Sequence, residues 1–75
     1  MQLDQFVKDF AELFDDTDAD MIKATTVFHN LEEWSSLIGM GVIALAKTQY
    51  GKTITGKGLK ECITVEELFN LINSK

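Results

Sequence analysis

The chain has no proline, no arginine, one cysteine and one histidine among its 75 residues. Without proline, no residue stands in the way of continuous helices. Because Cys62 is alone, an internal disulfide is excluded, and the N-terminus lacks a signal-peptide pattern, which predicts a cytoplasmic location. The longest purely apolar run, Val42 to Ala46, is far shorter than the ~20 residues of a membrane span. We therefore expect a soluble helical protein.

Acidic residues outnumber lysines by twelve to seven, which gives a formal net charge of -5. This sign opposes binding to phosphates, so nucleic acid is not an expected partner. Most of the acidity is N-terminal, because residues 1–20 hold seven acids and one lysine. Such a surface favours docking to basic proteins, but solubility alone also explains it, and both interpretations stay open.

The length leaves room for one domain, residues 1–75, and the sequence shows neither a linker nor a repeat. A domain of this size has little space for a deep catalytic cleft. We therefore expect a protein that is not an enzyme.

Apolar periodicity predicts an all-α bundle of three longer helices and one short helix. The first helix covers residues 3–14, and a long loop with a helical turn near residues 18–24 follows it. The second helix runs from Ser36 to Tyr50, and Gly51 stops it.

The C-terminal part holds the remaining two helices. A short helix is predicted over residues 59–63 after the glycines that loosen the chain. Residues 64–67, Thr-Val-Glu-Glu, form a capping box that opens the last helix.

An acidic stretch follows the first helix and superficially resembles a calcium-binding loop. Asp16, Asp18 and Asp20 match its first, third and fifth positions. However, Met21 stands where the turn needs glycine, and Val27 stands where a bidentate glutamate belongs. We interpret the stretch as a solvated loop and expect no metal site.

Neither the histidine nor the cysteine lies in a catalytic pattern. His29 has no nucleophile, second ligand or orienting carboxylate at a suitable spacing, which predicts a structural role. Cys62 follows Glu61, whose charge opposes thiolate formation, so we expect a buried apolar cysteine.

The start of the second helix is the strongest candidate site. Ser35 and Ser36 lie where unpaired backbone N–H groups favour an anion, although a serine there also serves as an ordinary cap. The following turns have no polar face, so part of this surface should be exposed to a partner or shelter an apolar ligand. Gly39 and Gly41 allow close backbone approach, which fits a site and tight packing equally well.

These features occur in an order that resembles acyl carrier proteins over essentially the whole chain. The matching residues are Trp34-Ser35-Ser36-Leu37, Met40, Val42-Ile43-Ala44-Leu45, Tyr50-Gly51 and Thr64-Val65-Glu66-Glu67-Leu68. In that family the motif is commonly Trp-Asp-Ser-Leu, an aromatic residue and glycine close the second helix, and a Thr-Val pair opens the last one.

The resemblance implies that Ser36 receives 4'-phosphopantetheine from coenzyme A through a phosphopantetheinyl transferase. Acyl groups would then be held as thioesters for fatty acid, polyketide or related biosynthesis, with acyl-transferring and condensing enzymes as partners. By position, Trp34, Ser35, Leu37 and Met40 would contact those partners. We expect a monomer.

Two positions depart from the family pattern. Ser35 replaces the aspartate that transferases recognise, and Lys47 is the only charged residue between positions 37 and 50, where the family presents acids. Recognition would then be largely apolar, or would use Glu32, Glu33 and the acidic N-terminal region. The alternative is an unmodified carrier-like domain that acts as a protein interaction module.

Overall fold

The computed structural model describes residues 2–74, which form four α-helices and no β-strand. The helices are α1 (Leu3–Ala11), α2 (Ser36–Tyr50), α3 (Gly56–Glu61) and α4 (Val65–Asn73). The predicted all-α bundle of three longer helices and one short helix is confirmed, with the long loop between α1 and α2.

Helix α1 ends three residues earlier than predicted. The N–H groups of Leu13 and Phe14 donate to carbonyls three residues back, which tightens the chain into a turn after Ala11. The next two N–H groups, of Asp15 and Asp16, donate to a carboxylate from the far end of the loop instead of continuing the helix. The periodicity of the first helix extends past its end because Phe14 still faces the core.

Helix α2 begins and ends at the predicted residues. Its C-terminus is closed by Gly51, whose φ of 66° lies in the left-handed region that glycine adopts without strain. The Tyr50 hydroxyl donates to Asp9 of α1 at 2.6 Å, which fastens this end of α2 to the first helix. Desolvation and the Asp9 carboxylate raise the pKa of Tyr50.

Helix α3 starts earlier than predicted, at Gly56, because Thr55 caps it by accepting from the N–H of Gly58 at 3.0 Å. It also ends earlier. The chain is already extended before α4, where Thr64 accepts from the N–H of Glu67 as the predicted cap. The Glu67 carboxylate in turn accepts from the N–H of Ile63, one residue before the cap, so the capping box is displaced by one position.

The loop between α1 and α2 is ordered by contacts with α4. It contains two 3₁₀ turns, Ala19–Met21 and Phe28–Asn30, of which the first falls within the predicted turn. The first two N–H groups of α4 donate to the carbonyls of Thr26 and Ala24, at 3.1 and 2.9 Å. These bonds satisfy donors that a helix start leaves unpaired, so loop and helix stabilise each other.

One hydrophobic core joins all four helices and the loop. Helix α1 packs on α4, and α2 packs on α3. The side chains of Phe6, Phe10 and Phe28 are fully buried, and the Phe10 ring lies 5.7 Å from that of Phe28. Each such ring removes a large apolar area from water, so the aromatic cluster supplies much of the folding energy of a small domain.

Candidate functional site

The two serines of the sequence motif have different structural roles. Ser35 is the N-cap of α2, and its Oγ accepts from the N–H of Ile38 at 3.4 Å. Ser36 is the first residue of the helix and is exposed. No hydrogen bond joins the Ser36 hydroxyl to another residue in the described part of the chain. Because Ser35 performs the capping, the Ser36 hydroxyl is available for chemistry.

Trp34 anchors this segment in the core. Its indole lies 4.8 Å from the Phe28 ring and 6.5 Å from each of the Phe10 and Phe14 rings, measured between centroids. The side chain is half-buried, so only part of it faces solvent. Trp34 thus fixes the position from which Ser35 and the start of α2 emerge.

Glu33 provides a second anchor. Its carboxylate accepts from the N–H of Asp15 at 2.8 Å, the N–H of Asp16 at 3.0 Å and the hydroxyl of Thr17 at 2.8 Å. Desolvation, the largest single effect, raises the pKa of this carboxyl, but the hydrogen bonds from Thr17, Asp15 and Asp16 outweigh it and bring the pKa below its ordinary value of 4.5. Glu33 is therefore engaged within the molecule, whereas the neighbouring Glu32 is exposed.

A cleft of about 260 Å³ opens beside Ser36, between α2 and α3. Apolar groups dominate its walls. It is lined by His29, Trp34, Ser35, Ser36, Gly39, Met40, Ile43, Gly56, Leu59 and Lys60. The arrangement suits a ligand with a polar end at Ser36 and an apolar body between the helices.

Gly39 determines how closely α2 and α3 approach. A Cβ at this position would lie 3.2 Å from Leu59 Cδ2 and 3.7 Å from the Trp34 ring. A Cβ at Gly41 would meet Leu13 at 3.5 Å, which is an ordinary contact. Close approach therefore explains Gly39, and the same position lines the cleft.

Two apolar side chains beside Ser36 lie in solvent. Leu37 is 77% exposed and Met40 is 67% exposed. Large apolar residues at such exposure, one turn apart on a helix, are typical of an interaction surface. Ser35 is also exposed. The structure thus brings the four predicted partner-contact residues together around Ser36, although Trp34 belongs largely to the core.

His29 and Cys62 join the loop to the segment between α3 and α4. His29 Nε2 lies 3.1 Å from the Cys62 carbonyl oxygen, and its ring centroid lies 4.3 Å from that of Phe28 and 5.2 Å from that of Trp34, edge-on to the indole. Cys62 is a free, buried cysteine, as predicted. Burial raises the pKa of its thiol, and the charges of Glu67 and Glu61 raise it further, so the thiol stays protonated at neutral pH.

Sequence reasoning missed the four cleft residues that lie outside α2 and the motif, namely His29, Gly56, Leu59 and Lys60. His29 lies only a few positions before the motif, but nothing in the local pattern places it in the cleft. Leu59 and Lys60 reach the cleft only because α3 folds against α2. Amphipathic spacing of the short helix was the one available signal.

Across residues 2–74, no group of three or more histidine, cysteine or acidic side chains is arranged to hold a metal ion. The helices within the same range also lack the combination of length and apolar composition that crossing a bilayer requires.

Comparison with family models, curated proteins and solved structures finds no match to this chain. The function is therefore inferred from the chemistry of the site.

Proposed function

We propose that the protein is an acyl carrier that holds acyl intermediates as thioesters on a 4'-phosphopantetheine arm attached to Ser36. One observation carries this proposal. An exposed serine hydroxyl stands at the first residue of a long helix, freed from capping by Ser35, at the mouth of an apolar cleft.

The residues around Ser36 fit a phosphodiester with an apolar extension. The first N–H groups of α2 and the positive end of its dipole favour a negative charge on Ser36. Lys60, which lines the same cleft, adds a positive charge nearby. The Met40, Ile43 and Leu59 side chains offer an apolar surface that would keep water from an acyl chain.

The protein itself would present the acyl group to the partner enzymes and protect it from water, since the bound arm supplies the thiol that forms the thioester. A flexible arm raises the effective concentration of an acyl group at each successive enzyme. The proposed partners are a phosphopantetheinyl transferase and the acyl-transferring and condensing enzymes of a cytoplasmic biosynthetic pathway. The protein itself is proposed to catalyse no reaction.

A second function is favoured by a specific observation. Ser35 stands at the position where the family's transferase-recognition aspartate is expected, while Leu37 and Met40 are strongly exposed. This combination also fits an unmodified domain that binds another protein through the start of α2.

Intact-mass measurement separates the two functions. The protein is incubated with coenzyme A and each of several phosphopantetheinyl transferases of broad specificity. A carrier gains the mass of one phosphopantetheine, and Ser36→Ala abolishes the gain. An unchanged mass with every transferase would favour the interaction module, and a gain that survives in Ser36→Ala would contradict the assignment of the serine.

The control variant is Ser35→Asn, which keeps a side-chain oxygen for the N-cap. It should gain the same mass as the unmodified sequence. If Ser35→Asn abolished the gain and Ser36→Ala did not, the arm would have to be placed on Ser35.

A further inference from the structure

The exposed surface of α2 is apolar at its start and carries no acid anywhere. Leu37, Met40 and Ala44 follow each other at helical spacing on one face, and all three are exposed. Lys47 continues the same face one turn later. Leu37 and Met40 are therefore apolar groups that no other part of the described chain covers.

Positive charge borders this face. Lys60 of α3 lines the cleft together with Met40, which places the lysine beside the apolar side chains. The exposed charged residues of α2 and α3 are Lys47, Lys57, Lys60 and Glu61, three lysines to one acid. The face is consequently apolar with a basic edge.

The rest of the molecule has the opposite charge. Residues 2–35 hold nine acids and two lysines, whereas residues 36–61 hold four lysines and one acid. Glu33, the acid that directly precedes the motif, accepts from the N–H groups of Asp15 and Asp16 within the molecule. The charge thus changes sign at the start of α2, where the candidate site lies.

We infer that Leu37, Met40 and Ala44, with Lys47 and Lys60 at their edge, form a docking surface for a partner protein whose apolar contact surface is bordered by carboxylates. Apolar contact supplies affinity, and opposite charges at the rim steer the encounter and set the orientation. A partner with a basic rim, which the overall charge of -5 would otherwise suggest, meets lysines here.

A second copy of this chain is a poorer occupant of the surface. Two copies that each carry a net charge of -5 repel one another at long range. In a symmetric pair the surface would face its own copy, so Lys47 and Lys60 of one copy would meet the lysines of the other instead of acids.

Two synthetic amphipathic peptides test the inference. They share a leucine face and differ only in their flanking positions, which are glutamate in one and lysine in the other. Binding is followed through the amide resonances of the isotopically labelled protein. The glutamate peptide should shift the resonances of residues 36–47 and 57–60, more weakly as salt is added. The lysine peptide should shift these resonances less.

Variants locate the interaction. Leu37→Ser should weaken binding of the glutamate peptide by about tenfold, since an exposed apolar anchor is lost. Lys60→Glu should weaken it by about twofold to fivefold, the range of an exposed ion pair. Lys8→Glu makes the same change on an exposed lysine of α1 and should leave binding unchanged.

Three outcomes would contradict the inference. Equal or stronger binding of the lysine peptide to these residues would overturn the inference, and so would the absence of shifts with either peptide. Shifts of residues 36–47 that grow with protein concentration in the absence of peptide would assign the surface to a second copy. The surface does not require a modified Ser36, so these results are independent of the mass measurement.

Discussion

Ser35 and Ser36 are chemically identical neighbours, yet the helix start gives them separate tasks. The hydroxyl of Ser35 accepts from an N–H group of the first turn, while Ser36 is exposed and its hydroxyl makes no hydrogen bond within residues 2–74. A helix start that needed its only serine as a cap would have no free hydroxyl for attachment of a group. Because Ser35 caps α2, the hydroxyl of Ser36 remains available for attachment of a group.

As the N-cap of α2, Ser35 should contribute to the stability of the protein. Replacement by alanine should lower the free energy of unfolding by about 1 kcal/mol, because the cap is lost. Ser35→Asp keeps an acceptor and adds a negative charge near the positive end of the helix dipole, so stability should be preserved. Urea denaturation checks both values. Equal losses in the two variants would show that Ser35 does not act as a cap.

The same Ser35→Asp variant bears on recognition by a transferase. It restores the aspartate that the resemblance places before the modified serine, so the rate of phosphopantetheine transfer should rise. Time courses of the intact mass measure this rate. A rate that stays the same would show that the enzyme recognises this chain through other residues.

Glu33 makes stability depend on pH. Its pKa is lowered in the folded protein, so the stabilisation is fully present above the ordinary value of 4.5 and is lost as the pH falls through the lower folded-state pKa. Glu33→Gln should therefore be less stable than the unmodified sequence at neutral pH, and the difference should shrink in acid. Denaturation followed by the fluorescence of Trp34 reports on this segment directly.

Glu32→Gln is the matched control for this experiment, because Glu32 is the exposed neighbour and its carboxylate makes no hydrogen bond within residues 2–74. It should leave stability unchanged at either pH. A Glu33→Gln effect that did not vary with pH would assign the loss to altered shape and not to charge.

At the scale of the helices, Gly39 and Gly41 form a natural pair for comparison. Each replacement by alanine gains about 1 kcal/mol of helix propensity. At Gly41 the new methyl group makes an ordinary contact, so the free energy of unfolding should increase. At Gly39 it crowds Cδ2 of the buried Leu59 at 3.2 Å, so this side chain must move by a few tenths of an ångström and the gain should be lost.

A second readout connects Gly39 to the cleft. If an acyl group on the arm shelters between α2 and α3, Gly39→Ala should speed hydrolysis of a hexanoyl thioester carried by the protein, and Gly41→Ala should not. Thiol release over time measures the hydrolysis. The same rate in both variants would place the acyl group outside the cleft.

The helices differ in how far the sequence alone predicts them. Both ends of α2 were predictable, because a serine cap and a left-handed glycine are local signals. The end of α1 and the bounds of α3 were not, since distant groups decide them. The carboxylate of Glu33 takes the N–H groups after α1, and that of Glu67 takes the N–H of Ile63 after α3.

The residues of the site also differ in how far the sequence alone predicts them. Ser36 and the exposed residues Leu37 and Met40 follow from the motif and from an apolar helix that one small domain cannot cover. The far wall of the cleft does not, because Leu59 and Lys60 reach it through the packing of α3 on α2. The amphipathic spacing of α3 indicates that the helix packs on the core, but it does not indicate that α2 is its neighbour.

The whole molecule shares one hydrophobic core, so a substitution that unfolds the core should also disrupt the site. Phe10→Ala removes a fully buried ring that contacts Phe14, Phe28 and Trp34, at an expected cost of about 3–5 kcal/mol. That is much of the stability of a small domain. Circular dichroism and Trp34 fluorescence should lose signal in one common transition at a lower temperature.

The control for the core is Leu37→Ala, which shortens a side chain that is 77% exposed and should leave the transition nearly unchanged. Separate transitions for the helix signal and the Trp34 signal would show that the long loop unfolds on its own.

The most direct test of the proposed carrier function is to isolate the protein from its own cells and to sequence its tryptic peptide of residues 24–47 by tandem mass spectrometry. This peptide contains both serines of the motif. We expect a phosphopantetheine group, free or acylated, on Ser36. A peptide that is entirely unmodified, or that carries the group on Ser35, would contradict the account.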